Sequence, residues 1–162
     1  MQQNRHIIQL LALFFLFIGI TSCSGGDCPI NNTVQGKLAF YDQAGNAVAF
    51  TSTLTVKVVR PQGDSIVLNQ SKYTSEVIFP LSYTYTTDTL IFDYDHGAEV
   101  DSLYISHTNT PTLVSVDCGL AMFHTITSVS SSHHLIESST LNSPEVDYDE
   151  RENIKVIFPV AD

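Results

Sequence analysis

The chain has 162 residues, 17 of them acidic and 7 basic, for a formal charge of −10 at pH 7. A surface that acidic repels phosphate backbones, which argues against nucleic acid as a partner. Hydrophobic residues make up 43% of the chain and aromatics 10%, a composition that buries a core and excludes disorder.

In chain order, the first feature is an apolar run. Arg5 precedes Ile7 to Ile20, broken only by Gln9 and Gly19, and small residues then lead to Cys23. Charged, apolar, then small residues is the layout of a secretory signal. The run is too short to cross a bilayer, which takes about 20 apolar residues. Ile20-Thr21-Ser22-Cys23 resembles a bacterial lipobox, which implies diacylglycerol on the Cys23 thiol and cleavage just before it. A plain secretory signal, with Cys23 in a disulfide, is the alternative. We therefore expect a signal peptide at 1–22, a lipidated tether at 23–27 and one domain at 28–162. Ser24-Gly25-Gly26-Asp27 has a flexible composition. Ser24 beside the acylated residue resembles signals that permit transfer to the outer membrane, with the facing side left open.

If Cys23 carries lipid, Cys28 and Cys118 remain as a pair in an oxidising compartment, and a Cys28–Cys118 disulfide is expected. Two buried free thiols are the alternative. Cys118 is in phase with Val114 and Val116, which predicts that it points inward from a strand.

The mature chain shows period-two alternation throughout and no amphipathic helix. Strands are predicted over Thr33–Asp42, Thr53–Arg60, Ser65–Asn69 and Glu76–Phe79, with turns at 43–46 and 61–64. The two strands flanking Pro61-Gln62-Gly63-Asp64 read as a hairpin. Leu81–Thr87 reads as a loop crossing between sheets. Further strands follow at Thr89–Tyr94, Ser102–Ser106, Thr112–Cys118 and Ala121–Ser130. A weaker one is expected at His133–Ser138, and Ile154, Val156 and Phe158 close the chain after an acidic loop over 143–153. Pro80, Pro111 and Pro159 are expected at strand ends. Eight to ten short strands imply an all-β fold, an antiparallel immunoglobulin-like β-sandwich, with a small β-barrel as the alternative.

Candidate chemistry is sparse. His133-His134 with Glu137 invites a metal reading, but neighbours on a strand face opposite ways. His124, in phase with Met122 and Ile126, reads as half-buried and bonded to a neighbour. A ligand role for His124 with His133 or His134 stays open. Asp93 and Asp95 read as a solvated strand edge, and Asp147, Asp149, Glu150 and Glu152 as a wet loop. No nucleophile elbow or phosphate loop is present, so neither catalysis nor a cofactor is expected. Tyr73, Tyr83 and Tyr85 suit sugar stacking or plain structural ends. Asp64-Ser65-Ile66, Asp88-Thr89-Leu90 and Asp101-Ser102-Leu103 resemble the O-glycosylation acceptor of Bacteroides-type bacteria, with Ser65, Thr89 and Ser102 as acceptors.

Four stretches together resemble an uncharacterised family of small Bacteroides-type outer-membrane lipoproteins: Cys28 to Val34, Val116-Asp117-Cys118, Phe123 to Thr127 and His133-His134-Leu135-Ile136. The likeness extends over nearly the whole mature chain and reinforces the Cys28–Cys118 pairing. It implies a lipid-anchored envelope protein; the partner we expect is an unknown envelope protein or a glycan. It supplies no mechanism.

Overall fold

Alternating apolar and polar residues become ten strands in the computed structural model, which describes Cys28, residues 33–97 and residues 99–159. The expected signal, the 23–27 tether and Cys23 lie outside the described residues. The strands are β1 (Gln35–Tyr41), β2 (Leu54–Val59), β3 (Ser65–Ser71), β4 (Glu76–Pro80) and β5 (Thr87–Tyr94). They continue as β6 (Glu99–Ser115), β7 (Gly119–Ser131), β8 (Ser138–Leu141), β9 (Glu145–Val146) and β10 (Ile154–Ile157).

These strands form two sheets, β4-β1-β10-β8 and β3-β2-β5-β6-β7-β9. Every described pairing is antiparallel except β1 with β10, which run parallel, Phe40 opposite Val156. The fold is therefore all-β and sandwich-like. The segment after Pro80 carries the chain from one sheet to the other, as its polar, Tyr-rich composition suggests. The predicted β2–β3 hairpin is present around the 61–64 turn.

The inward positions of both sheets meet in one core. Leu38 and Phe40 from β1, Val56 and Val58 from β2, Leu90 and Phe92 from β5 and Val156 from β10 are fully buried. Each such side chain contributes about 1.5–3 kcal/mol relative to exposure. Phe40 spans the sheets, edge-on to Phe92 at 6.4 Å and to Phe158 at 5.4 Å. Asn153, 1% exposed, ties β1 to the segment that leads into β10. Its Oδ1 accepts from Lys37 N–H at 3.0 Å, and its Nδ2 donates to the Ser143 and Glu145 carbonyls. Gly36 lies opposite Phe79, whose ring would be 2.7 Å from an added Cβ, so only glycine lets this buried ring cross the strand.

Several expectations need correcting. Pro111 lies inside β6, opposite Met122, and not at a strand end. His107 N–H turns toward β5 and donates to the Thr86 carbonyl. By alternation, Asn109 and Pro111 direct their nitrogens to that same side, where β5 has already ended, so proline costs no ladder bond. Residues 99–131 thus form one long hairpin of β6 and β7. Cys118 sits in its tip and not on a strand, and Val116 beside it is 92% exposed. The Cys28–Cys118 disulfide is formed. Residues 132–137 are a loop and not a weak strand, for a reason given below. β5 is an inner strand between β2 and β6, so Asp93 is not on a sheet edge; Asp95 is in the following turn, accepting from Thr53 N–H.

Candidate functional site

Strand parity places two acids among the apolar residues. On β5 the inward set is Asp88, Leu90, Phe92 and Tyr94; on β6 it is Asp101, Leu103, Ile105 and His107. Asp88 is 3% exposed and Asp101 is fully buried. A buried carboxylate is tolerated only when bonded on every side. Both meet that condition, in different ways.

Asp88 is held by a guanidinium, an imidazole and a backbone donor. Arg60 Nε lies 3.1 Å from Oδ1, His107 Nε2 3.1 Å from Oδ2, and Ser82 N–H donates to Oδ2 at 2.6 Å. Arg60 also donates to the Pro80 carbonyl, which locks the crossing loop to β2. Burial alone would push the Asp88 carboxyl up, but the bonds from His107, Ser82 and Arg60 outweigh it and hold the carboxyl below the usual carboxylate range. The network continues outward through Asn109. Its Nδ2 donates to the Tyr85 carbonyl, so Oδ1 faces the imidazoles and accepts from Nδ1 of His107 and of His124, each at 2.8 Å. His107 thus bridges Asp88 and Asn109 through its two ring nitrogens.

His124 is the opposite case. It is 1% exposed, stacked on Tyr83 and edge-on to His107, and its Nε2 has no hydrogen-bond partner. Burial first, then the electrostatic effect of His107, push it down to about 4, against a smaller upward pull from Asp88. At neutral pH it is an uncharged ring with one bonded N–H and one buried lone pair.

Asp101 is held almost wholly by main chain. Oδ1 accepts from the Ser132 hydroxyl at 2.6 Å and His134 N–H at 2.9 Å. Oδ2 accepts from Leu135 N–H at 2.8 Å and Ile136 N–H at 2.9 Å. Burial pushes this carboxyl up, and the four bonds prevail and lower it. Successive N–H groups turned onto one carboxylate cannot also serve a strand ladder, which is why 132–137 loops out. Ser132 Oγ also accepts from Ser102 N–H, extending the grip to β6.

The other predicted site residues scatter. His124 bonds Asn109 inside β7, whereas His133 and His134 lie past the end of β7 in the Asp101 loop. His124 is thus fully buried and not half-buried. Among the described residues no group of three or more His, Cys, Asp or Glu is placed to hold a metal ion. In the acidic loop, Arg151 pairs with Asp147 and Asp149, and Glu152 accepts from the Tyr41 hydroxyl. Tyr85 bonds Gln62 at one end of the β2–β3 hairpin, whereas Tyr73 lies beyond Ser71 at the other, so the three tyrosines form no single platform. Of the acceptor-like triplets, Asp64-Ser65-Ile66 is exposed throughout, while Thr89 and Ser102 are half-buried beside acids turned inward.

Chemically, the Asp88–His107–Asn109–His124 array resembles a relay without a nucleophile. The imidazole lone pair at its end meets no hydroxyl or thiol. Its bonds instead join β2, the crossing loop, β5, β6 and β7, which makes it a clamp.

No curated protein and no solved structure matches the chain. A family model matches residues 53–158, a span that contains both carboxylate clusters and every strand from β2 to β10. By that match the chain belongs to DUF6452, a family of unknown function.

Proposed function

We propose that the chain is a cell-envelope lipoprotein of a Bacteroides-type bacterium. Its signal is cleaved before Cys23, its acylated end sits in the outer membrane, and its immunoglobulin-like sandwich binds or scaffolds an envelope partner without catalysis. One observation carries this reading. The chain has 3 cysteines, and the Cys28–Cys118 disulfide uses two of them. Cys23, at the end of the lipobox-like tetrapeptide, is the one left over, and a disulfide fits an extracytoplasmic compartment. With Cys28 and Cys118 bonded to each other, neither is open to Cys23. The immunoglobulin-like reading draws support from the facing apolar sheets and the crossing loop.

Mass spectrometry of the protein from its native membrane tests this. The amino-terminal peptide is expected to begin at Cys23 and to carry thioether diacylglycerol and an amide-linked acyl chain. Unmodified Cys23, or a chain retaining Met1, would sink the proposal.

A glycan-binding role is the second reading, favoured by Tyr83. This tyrosine is 46% exposed and borders two open grooves, one with Arg60, Gln62 and Ser82, the other, of about 430 Å³, with Pro111, Leu120 and Met122. An aromatic ring beside hydrogen-bonding groups suits a sugar ring. Binding on a polysaccharide array that falls at least tenfold in Tyr83→Ala is the expected signature, about 1.4 kcal/mol. Equal binding by both chains would remove it.

A further inference from the structure

β6 and β7 outrun the rest of their sheet. β5 pairs with β6 only as far as Ser106, and β9 touches β7 only at His124 and Thr125. Beyond these, the two strands project as a two-stranded ribbon, a structure that is marginal in water by itself. Its register puts Pro111 opposite Met122 and Leu113 opposite Leu120. By alternation this is the face that, further back, carries buried His107, His124 and Ile126. In the ribbon, the same face has no opposing sheet to bury it. Leu113 is 62% exposed and Leu120 66%, with Val116 at the tip 92% exposed. Between His107 and Ile126, Asp117 is the lone charged residue of a chain that has 17 acids. Large apolar side chains exposed together at one end of a sheet mark an interaction site.

The covalent path selects its occupant. Cys118 in the tip is bonded to Cys28, Cα to Cα 5.4 Å. From Cys28 to Cys23 is five residues, at most about 18 Å fully extended. The tip is therefore held within roughly two dozen ångströms of the residue that carries the acyl chains.

We propose that the β6–β7 tip, through Leu113, Val116 and Leu120, enters the headgroup layer of the membrane that holds Cys23. The inference rests on the acylation of Cys23 proposed above. The lipid and the ribbon then form two points of attachment, and the domain docks with its long hairpin toward the bilayer. Asp117 apart, the ribbon carries no acidic or basic residue, which fits this contact, because a strongly acidic surface would be repelled by anionic lipid.

The test uses the chain beginning at Cys23, which keeps every described residue, with Val116→Trp as the probe; the chain has no natural tryptophan. The Cys23 thiol is coupled to a maleimide phospholipid in phosphatidylethanolamine–phosphatidylglycerol vesicles, so the protein is membrane-held whatever the cell does to Cys23. Leu120→Trp is the second probe, and Tyr73→Trp, beyond the opposite end of the sheet, is the control. The tip probes are expected to shift to the blue on coupling and to lose most of their emission to brominated acyl chains, while the control changes in neither respect. Tip emission as unquenched as the control would overturn the inference, whatever the mass of the native amino-terminal peptide shows. A blue shift that appears without vesicles and grows with protein concentration would also overturn it, because the occupant would be a second copy.

Discussion

Asp101→Asn is expected to lower folding stability by roughly 3 kcal/mol at pH 7. The carboxylate receives four hydrogen bonds, three from successive backbone N–H groups and one from a hydroxyl. An amide of the same shape has one oxygen to offer and turns an NH2 group toward the remaining donors. Whichever way it is flipped, a donor faces a donor in a fully buried site, and each unmet buried donor costs about 1–3 kcal/mol. Urea unfolding checks this: the midpoint should fall, with the slope unchanged. His134→Ala separates the causes. That imidazole lies 3.4 Å from Oδ1 but is 67% exposed, so its loss should shift stability by no more than about 0.5 kcal/mol. A midpoint untouched by Asp101→Asn, or lowered equally by His134→Ala, would refute the role assigned to the main-chain donors.

These two acids also show which parts of the structure are legible from the residues alone. Strand periodicity and turn chemistry are local, and they locate β1 to β5, both arms of the β6–β7 hairpin, β10, the β2–β3 hairpin and the crossing loop, but neither β8 nor β9. The disulfide follows once Cys23 is set aside as the lipidation candidate, which leaves Cys28 and Cys118. The acids are a different matter. Asp88 and Asp101 each begin an inward-facing series, Asp88-x-Leu90-x-Phe92 and Asp101-x-Leu103-x-Ile105, and that parity signals burial. Read as acceptor triplets, Asp-Thr-Leu and Asp-Ser-Leu, the same residues look like surface features. What parity cannot supply is the partners. Arg60 and His107 reach Asp88 from 28 and 19 residues away, and the loop reaches Asp101 from 31 to 35. The misread segments share this cause. A loop pinned by a distant carboxylate keeps the alternation of a strand at His133–Ser138. Pro111 is tolerated inside β6 only because β5 has stopped beside it, a matter of neighbouring strand lengths. The parallel β1–β10 pairing likewise joins the two ends of the domain and leaves no mark on either segment.

Acid should weaken the fold well above the range in which carboxylates titrate, and His124 is the group responsible. An exposed imidazole in the unfolded chain takes a proton near pH 6.5, whereas in the fold burial and the electrostatic effect of the neighbouring His107 push this ring down to about 4. Between those values the unfolded state binds the extra proton, so stability is complete above about pH 6.5 and declines as pH falls toward 4. Each pH unit in that window is worth about 1.4 kcal/mol, or roughly 3 kcal/mol in all, an order-of-magnitude figure. Asp88 and Asp101 act in a lower window. Their carboxyls are held below the ordinary value, so their contributions persist until pH falls through those lowered values. The two windows separate in urea titrations at pH 7.5, 5.5 and 4. His124→Gln keeps an N–H for Asn109 and cannot titrate, so its loss of stability between pH 7.5 and 4 should be smaller than that of the unaltered chain by most of that amount. Parallel losses in the two chains would mean that His124 accepts its proton as readily folded as unfolded. The ring at the end of the Asp88 clamp would then be open to water.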